Sequence, residues 1–385
     1  MKLGFFTDSY LPNVDGVVRS IVSTRPELEK RGHEVYTFAS GTVQDGRANR
    51  DSRVFYYRSL KFPAYPQYKI ALFPYYSARK KARELELDLV HCHGMAAMGI
   101  AGRKAARDLH LPAVGSFHTL LPKGIQTIAR RKWTRALGEA FLWRAMEWFY
   151  KPLDLVISPS EVIRKILLQH EIDSVVVPNG IDLAKIHQLP KSVARKAVAK
   201  EIGLQKGEKI ILSAGRLSKE KHLEVVLHAF PKVLAHADSR LVVTGEGPAR
   251  KEWEAAARKS GVSDKIVFTG FVPEEELPEF YSAADCFATA STFETQGMAL
   301  LEAMACGTPV VGARSLAIPE VLKEGKNGFL FTPFHSHELA EKIVKLLEAG
   351  SARQKVFSKN ALATAEKFSL EKTTDLLLQA YEKVL

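Results

Sequence analysis

Two glutamates, Glu294 and Glu302, stand eight positions apart in Ala290–Gly312, ASTFETQGMALLEAMACGTPVVG, with Gly297 between them. Eight positions is just over two helical turns, so both carboxylates can share one side of a helix near its start. A strand-like run, Cys286–Thr289, precedes them, and a Gly-Thr-Pro turn with a second apolar run follows. A loop ending at a helix N-terminus presents free backbone N–H groups and a positive dipole end, which suits a phosphate. Acids beside such an anion site contact hydroxyls rather than phosphate. The combination suits a nucleotide sugar.

A second set of candidates lies in Ala214–His222, AGRLSKEKH, which follows one apolar run and opens a helical pattern. Arg216 offers a diphosphate a planar fork of donors and Lys221 a point charge. The plainer alternative is two solvated cations at a helix start. In the opening loop, SYLPNVDGVVRS, Asp15 and Gly16 stand where a helix should begin. Asp15 is a candidate cap and Gly16 a point of close backbone approach, or both make a tight turn. The G-x-G-x-x-G spacing of a dinucleotide fingerprint is absent.

His93 and His118 each end an apolar run. Such a histidine is either a satisfied polar group at the core boundary or a reagent, and from GSFHT the chain turns directly into a basic segment. No Ser and acid accompany either histidine as a hydrolytic triad, and no His/Cys spacing matches a zinc site. The basic segment, Lys123–Lys151, mixes Arg130, Arg131, Lys132, Arg135 and Arg144 with Trp133, Phe141, Trp143, Trp148 and Phe149. Cations and rings on one helix suit an interfacial membrane contact, or else a core helix with a solvated basic face. Lys61–Tyr76, KFPAYPQYKIALFPYY, adds aromatics and prolines.

The elements that must position these residues alternate in period. Lys2–Thr7, Glu34–Ala39, Arg53–Tyr57, Asp88–His93, Ala113–His118, Leu155–Ser158 and Ser174–Val177 read as short buried strands, with helical patterns such as Val17–Lys30 between them. A second series starts near Lys209 and continues through Leu241–Thr244, Ile266–Phe268, Cys286–Thr289, Val310–Gly312 and Gly328–Phe331. Strand–helix alternation predicts doubly wound parallel sheets, and two series in 385 residues predict two Rossmann-like domains. The break falls in the turn-rich Pro178–Arg195.

Hydrophobic and charged fractions of 46% and 25% describe an ordinary globular chain. No segment approaches the roughly 20 apolar residues of a membrane span. MKLGFFTDS reads as a strand rather than a signal peptide. Cys92, Cys286 and Cys306 read as buried thiols in a reducing cytoplasm. The net charge of +12 is uneven, since residues 1–175 carry 27 Lys and Arg against 17 Asp and Glu. A basic half can meet nucleic acid, anionic lipid or anionic small molecules. No nucleic-acid motif accompanies it, and the acid pair would then have no role.

In order, the motifs PNVDGVV, HCHG, GSFHT, ISPS, VPNGID, GRLSKEK, TGEGP, FTGFV, FETQGMALLEAMACGTPVV and NGFLF resemble those of the retaining nucleotide-sugar glycosyltransferases of the GT-B fold, in the family-4 group. The resemblance covers nearly the whole chain. It implies an acceptor-side domain over 1–180, with 366–385 crossing back onto it, and a donor domain over 190–365, the two facing across a cleft. Arg216 and Lys221 would neutralise the leaving diphosphate. Glu294 would bind hydroxyls of the transferred sugar beside the backbone of Gln296, Gly297 and Met298. Glu302 would take the ribose, with Phe271 and Val272 flanking the base. Gly16 would let the backbone approach the phosphates, and His118 would reach the donor sugar.

No metal and no cofactor are implied, and there is no D-x-D motif. FETQG, TDSYLPNVDGVVRSI and YPQYKIAL look most like membrane-associated glycolipid synthases, the diacylglycerol glucosyltransferases and phosphatidylinositol mannosyltransferases. That likeness implies a UDP-sugar donor, with GDP-sugar as the alternative, a lipid acceptor, and a peripheral place on the anionic inner face of the cell membrane. Arg130, Arg131, Lys132, Trp133 and Arg135 would serve that side. Transfer to a soluble sugar or sugar phosphate, a UDP-sugar isomerase, and a basic nucleic-acid-binding protein are the other readings. Asp15 departs from the Gly or Asn of many members and adds a negative charge near the anion.

Overall fold

A computed structural model describes the backbone of residues 1–385 except 14, 63–64 and 124–131, and the side chains of all but these and 43, 47, 62, 65–68 and 132. Arg130, Arg131 and the side chain of Lys132 lie outside the described residues. The chain divides into two compact units, Met1–Gly180 with Leu370–Leu385, and Ile181–Ser369.

In the first unit the described residues form one eight-stranded sheet. Its strands are β1 (Lys2–Thr7), β2 (Glu34–Gly41), β3 (Val54–Phe62), β4 (Tyr65–Ala71), β5 (Leu89–Cys92), β6 (Ala113–Ser116), β7 (Leu155–Ser158) and β8 (Val175–Val176). Their spatial order is β4-β3-β2-β1-β5-β6-β7-β8, all parallel except the β3–β4 pair. Strand β4 is absent from the sequence reading, which took its residues as an aromatic, proline-rich surface. It is an antiparallel edge strand with Ile70 opposite Leu60, a place where Pro66 is tolerated because one side needs no ladder partner.

Leu3, Phe5, Val35, Leu89, Val114 and Ile157 of this sheet pack on Ile21 and Leu28 of the helix Gly16–Lys30. Leu377 and Tyr381 of the C-terminal helix Leu370–Tyr381 join that same core. Arg31 donates to the Glu371 carbonyl at 3.0 Å. The last helix therefore belongs to the first unit.

The second unit holds an all-parallel sheet of β9 (Lys209–Ala214), β10 (Ser239–Thr244), β11 (Ile266–Gly270), β12 (Cys286–Thr289), β13 (Val310–Ala313) and β14 (Gly328–Phe331), ordered β11-β10-β9-β12-β13-β14. Successive side chains point to opposite faces, so each strand feeds two cores. Ile210, Leu212, Val242 and Phe287 enter one, while Ile211, Leu241, Val243 and Cys286 enter the other. That double burial is why these strands read as unbroken apolar runs. All three cysteines are buried and free.

Winding reverses between β1 and β5 in the first sheet and between β9 and β12 in the second. Open α/β sheets hold ligands beyond the carboxyl ends of the strands at such reversals. Asp8–Gly16 and His93 follow β1 and β5, and Arg216, Lys221 and Glu294 follow β9 and β12.

Candidate active site

In the second unit, the loop after β12 and the turn after β9 are joined by side chain and backbone. Lys221 Nζ lies 2.6 Å from Glu294 Oε1, and Thr292 N–H donates to the Glu220 carbonyl at 3.4 Å. Burial opposes ionisation of Glu294, but the Lys221 charge, its hydrogen bond and one from Ser291 hold the carboxyl below its ordinary value. Glu294 is thus an anion at neutral pH, with lone pairs beyond the one that Lys221 occupies. Arg216 is exposed, and its guanidinium makes no ion pair among the described residues. A fixed carboxylate, an ammonium and a planar guanidinium thus gather at one sheet reversal.

The rim that carries them depends on glycine. A Cβ on Gly245 would stand 2.0 Å from the Gly215 carbonyl oxygen, so the ends of β9 and β10 can touch only without one. Gly297, at φ 90°, caps the helix Met298–Ala305 in a left-handed conformation that favours glycine. The start at Met298 corrects the expectation that both glutamates ride one helix. Glu302 is helical, but Glu294 lies in the preceding loop.

Glu302 is 8% exposed and accepts from the Tyr281 hydroxyl at 2.7 Å. Gln296 is buried, Val272 is buried in a core and Phe271 is 60% exposed. Tyr281 was missed from the sequence. Its apolar helix, Leu277–Ala283, signals burial and nothing more.

A depressed carboxylate contributes stability that is complete above its unfolded value, 4.5, and is lost as pH falls through the lower folded value. Melting curves of wild type and Glu294→Gln should therefore differ most above pH 4.5 and converge in acid. A gap that widens on acidification would contradict the ion pair.

In the first unit, two carboxylates close two helix N-termini. Asp15 Oδ1 accepts from the N–H groups of Val17 and Val18, both at 2.9 Å, and its Oδ2 accepts from Ser9 Oγ at 2.7 Å. The N–H groups after Gly16, read as a phosphate approach, are thus engaged by the protein's own carboxylate. Asp8 accepts from Ala96 N–H at 3.0 Å and Met98 N–H at 2.8 Å, so it caps the helix Ala97–Leu109 from another strand. Burial pushes the Asp8 carboxyl upward against those hydrogen bonds.

Behind these caps three imidazoles are layered. His91 and His93 have centroids 4.0 Å apart, and His93 Nδ1 lies 3.2 Å from His118 Nε2. Burial lowers His118 to about 4, with the Asp15 charge pulling the other way. His91 contacts the Tyr381 hydroxyl at 2.6 Å and Ser116 Oγ at 2.8 Å. Asp8, His91 and Tyr381 drew no individual role from sequence.

The basic segment continues as the helix Lys132–Tyr150. Met146, Phe149 and Tyr150 are buried, while Trp133, Leu137, Phe141 and Trp148 are 60, 65, 72 and 56% exposed. Spaced mainly by four, these four side chains share one stripe. The outward face carries these four apolar side chains together with the exposed Arg144. Arg135 is half-buried.

Comparison with known families agrees with this geometry. Residues 14–185 match the profile described as Glycosyltransferase Family 4, and residues 194–364 that described as Glycosyl transferases group 1. The chain is 34% identical to the alpha-monoglucosyldiacylglycerol synthase of Streptococcus pneumoniae, over 91% of this chain and 79% of that protein. It is 27% identical to the protein of the same name from Acholeplasma laidlawii, over 90% and 88%. Among solved structures, Anabaena Alr3699/HepE in complex with UDP-glucose superposes with a TM-score of 0.78 at 21% identity, covering all of both chains. At that identity the likeness is one of fold.

Proposed function

Since this chain belongs to the glycosyltransferase family so matched, and is a nucleotide-sugar-dependent enzyme of GT-B fold, we propose that it moves glucose from UDP-glucose to the free hydroxyl of diacylglycerol at a membrane surface. The donor side is the second unit. Departure of a nucleoside diphosphate develops negative charge, and Arg216, with Lys221 held by Glu294, supplies the cations that stabilise it. Glu294, ionised and held by Lys221, orients hydroxyls of the transferred sugar, and Glu302 with Tyr281 takes the ribose. His118 is the group the first unit contributes to the chemistry. The relatives' names specify an alpha product. An alpha product from UDP-glucose means retention of configuration.

The observation that carries the lipid half is the exposed row Trp133, Leu137, Phe141 and Trp148. It is one edge of a larger surface. Arg103, on the helix Ala97–Leu109, sits 4.0 Å over the Trp148 ring, and the neighbouring Lys104 sits 4.0 Å over Tyr75. Phe73 and Tyr76, 92 and 77% exposed, stand beside that tyrosine. Rings flanking a basic helix suit an anionic headgroup layer. Among the described residues no helix is long and apolar enough to cross a membrane, so the proposed attachment is peripheral, at the cytoplasmic face.

Protein incubated with radiolabelled UDP-glucose and diacylglycerol vesicles should give labelled lipid, and the rate should persist in a divalent-metal chelator. Label confined to water-soluble product would sink the lipid reading. Loss of rate in chelator would sink the cation account of the leaving group.

A further inference from the structure

The His93 ring has one hydrogen-bonding neighbour among the described residues, and that neighbour is His118. Its Nδ1 lies 3.2 Å from His118 Nε2. Its Nε2 is buried and has no partner among the described residues, and the residue as a whole is 6% exposed. Phe5 of β1 lies against the His93 ring with centroids 4.7 Å apart, and His91 of β5 at 4.0 Å. His91 cannot satisfy that nitrogen, because Tyr381 and Ser116 already occupy both of its own.

A neutral imidazole carries one proton. Placed on Nε2 it would be a buried N–H without an acceptor, an arrangement native proteins avoid. It therefore sits on Nδ1 and points at His118.

We propose that His93 is a positioning residue, whose Nδ1–H holds His118 in the tautomer protonated at Nδ1 and removes His118 Nε2 from service as a proton acceptor. The proposal rests on the reading of His118 as the first unit's contribution to sugar transfer. Any proton that His118 offers comes from Nδ1. A proton on its Nε2 would force that of His93 onto the orphaned nitrogen. The groups facing the pair agree with a neutral state. Phe5 and His91 are uncharged, burial lowers all three histidines, and the Asp15 charge opposes that lowering at His118.

Nitrogen-15 NMR of ring-labelled histidine, assigned with His93 and His118 variants, reads the tautomer directly. At pH 7 the wild type should show His118 protonated at Nδ1 and bare at Nε2. His93→Leu should release that preference and lower kcat by about 10²-fold, the scale of a misplaced reacting group, with KM for UDP-glucose unchanged. His93→Asn, whose amide N–H can stand where Nδ1–H stood, should restore most of the rate. His118 protonated at Nε2 in wild type overturns the proposal, whatever the variants do. A fully active His118→Ala enzyme would instead remove the reading beneath it, and the two failures are distinguishable.

Discussion

Arg216→Ala and Glu294→Gln should each lower kcat and kcat/KM for sugar transfer by about 10²–10³-fold, the cost of deleting one charge-stabilising group from a transition state. The two arrive there by different routes. Arg216 is exposed and makes no ion pair among the described residues, so its loss should leave stability within about 0.5 kcal/mol. Arg216→Lys keeps the charge but not the planar fork, and should recover only part of the rate.

Glu294→Gln keeps the shape but removes the anion 2.6 Å from Lys221. The side chain of Lys221 is 33% exposed, so water screens the pair and its loss costs about 1 kcal/mol, far below the figure for a fully buried one. Steady-state kinetics with parallel melting curves separate chemistry from folding. An Arg216→Ala enzyme with wild-type kcat would strip that residue of its role at the leaving group.

The second large effect is on the membrane. Trp133, Leu137 and Phe141 expose 60, 65 and 72% of their surfaces, and full burial of such side chains is worth about 1.5–3 kcal/mol each. Insertion to half depth by all three contributes about 3 kcal/mol, roughly a 10²-fold change in partition. Replacing the three with Ser should weaken sedimentation with phosphatidylglycerol vesicles by that factor while donor binding is unaffected. Arg103 and Lys104 sit over rings rather than against acids. Changing both to Ser should flatten the dependence of binding on anionic lipid content without abolishing it. Unchanged binding by the triple variant would make the stripe a contact for something other than lipid.

The parallel strands could be read in advance because burial on both faces writes itself as continuous apolar sequence, and Cys286–Thr289 and Gly328–Phe331 occupy the predicted residues. Strand β4 could not, since an edge strand buries little and tolerates proline. The helix shared by Glu294 and Glu302 was misjudged by one glycine. Gly297 stands between the two acids in the sequence, and its positive φ makes it the cap.

Contacts across long separations left no local trace. Asp8 closes a helix that starts 89 residues later, and Tyr281 and Tyr381 are indistinguishable by pattern from any core aromatic. Asp15 was read as a candidate cap and is one. Its carboxylate accepts from the N–H groups of both Val17 and Val18.

The way the chain is threaded has a practical corollary. It leaves the first unit after Gly180 and rejoins it at Leu370, and Ile181 N–H donates to the Phe368 carbonyl at 2.8 Å. The two ends of the second unit are therefore neighbours, tied by a bridge between Ile181 and Ser369. Residues 181–369 form a cassette with both its seams at one spot. On the proposed assignment of the donor side to this unit, donor preference could be exchanged between relatives by cutting there, leaving Tyr381, the histidine layer and the exposed apolar stripe with the host.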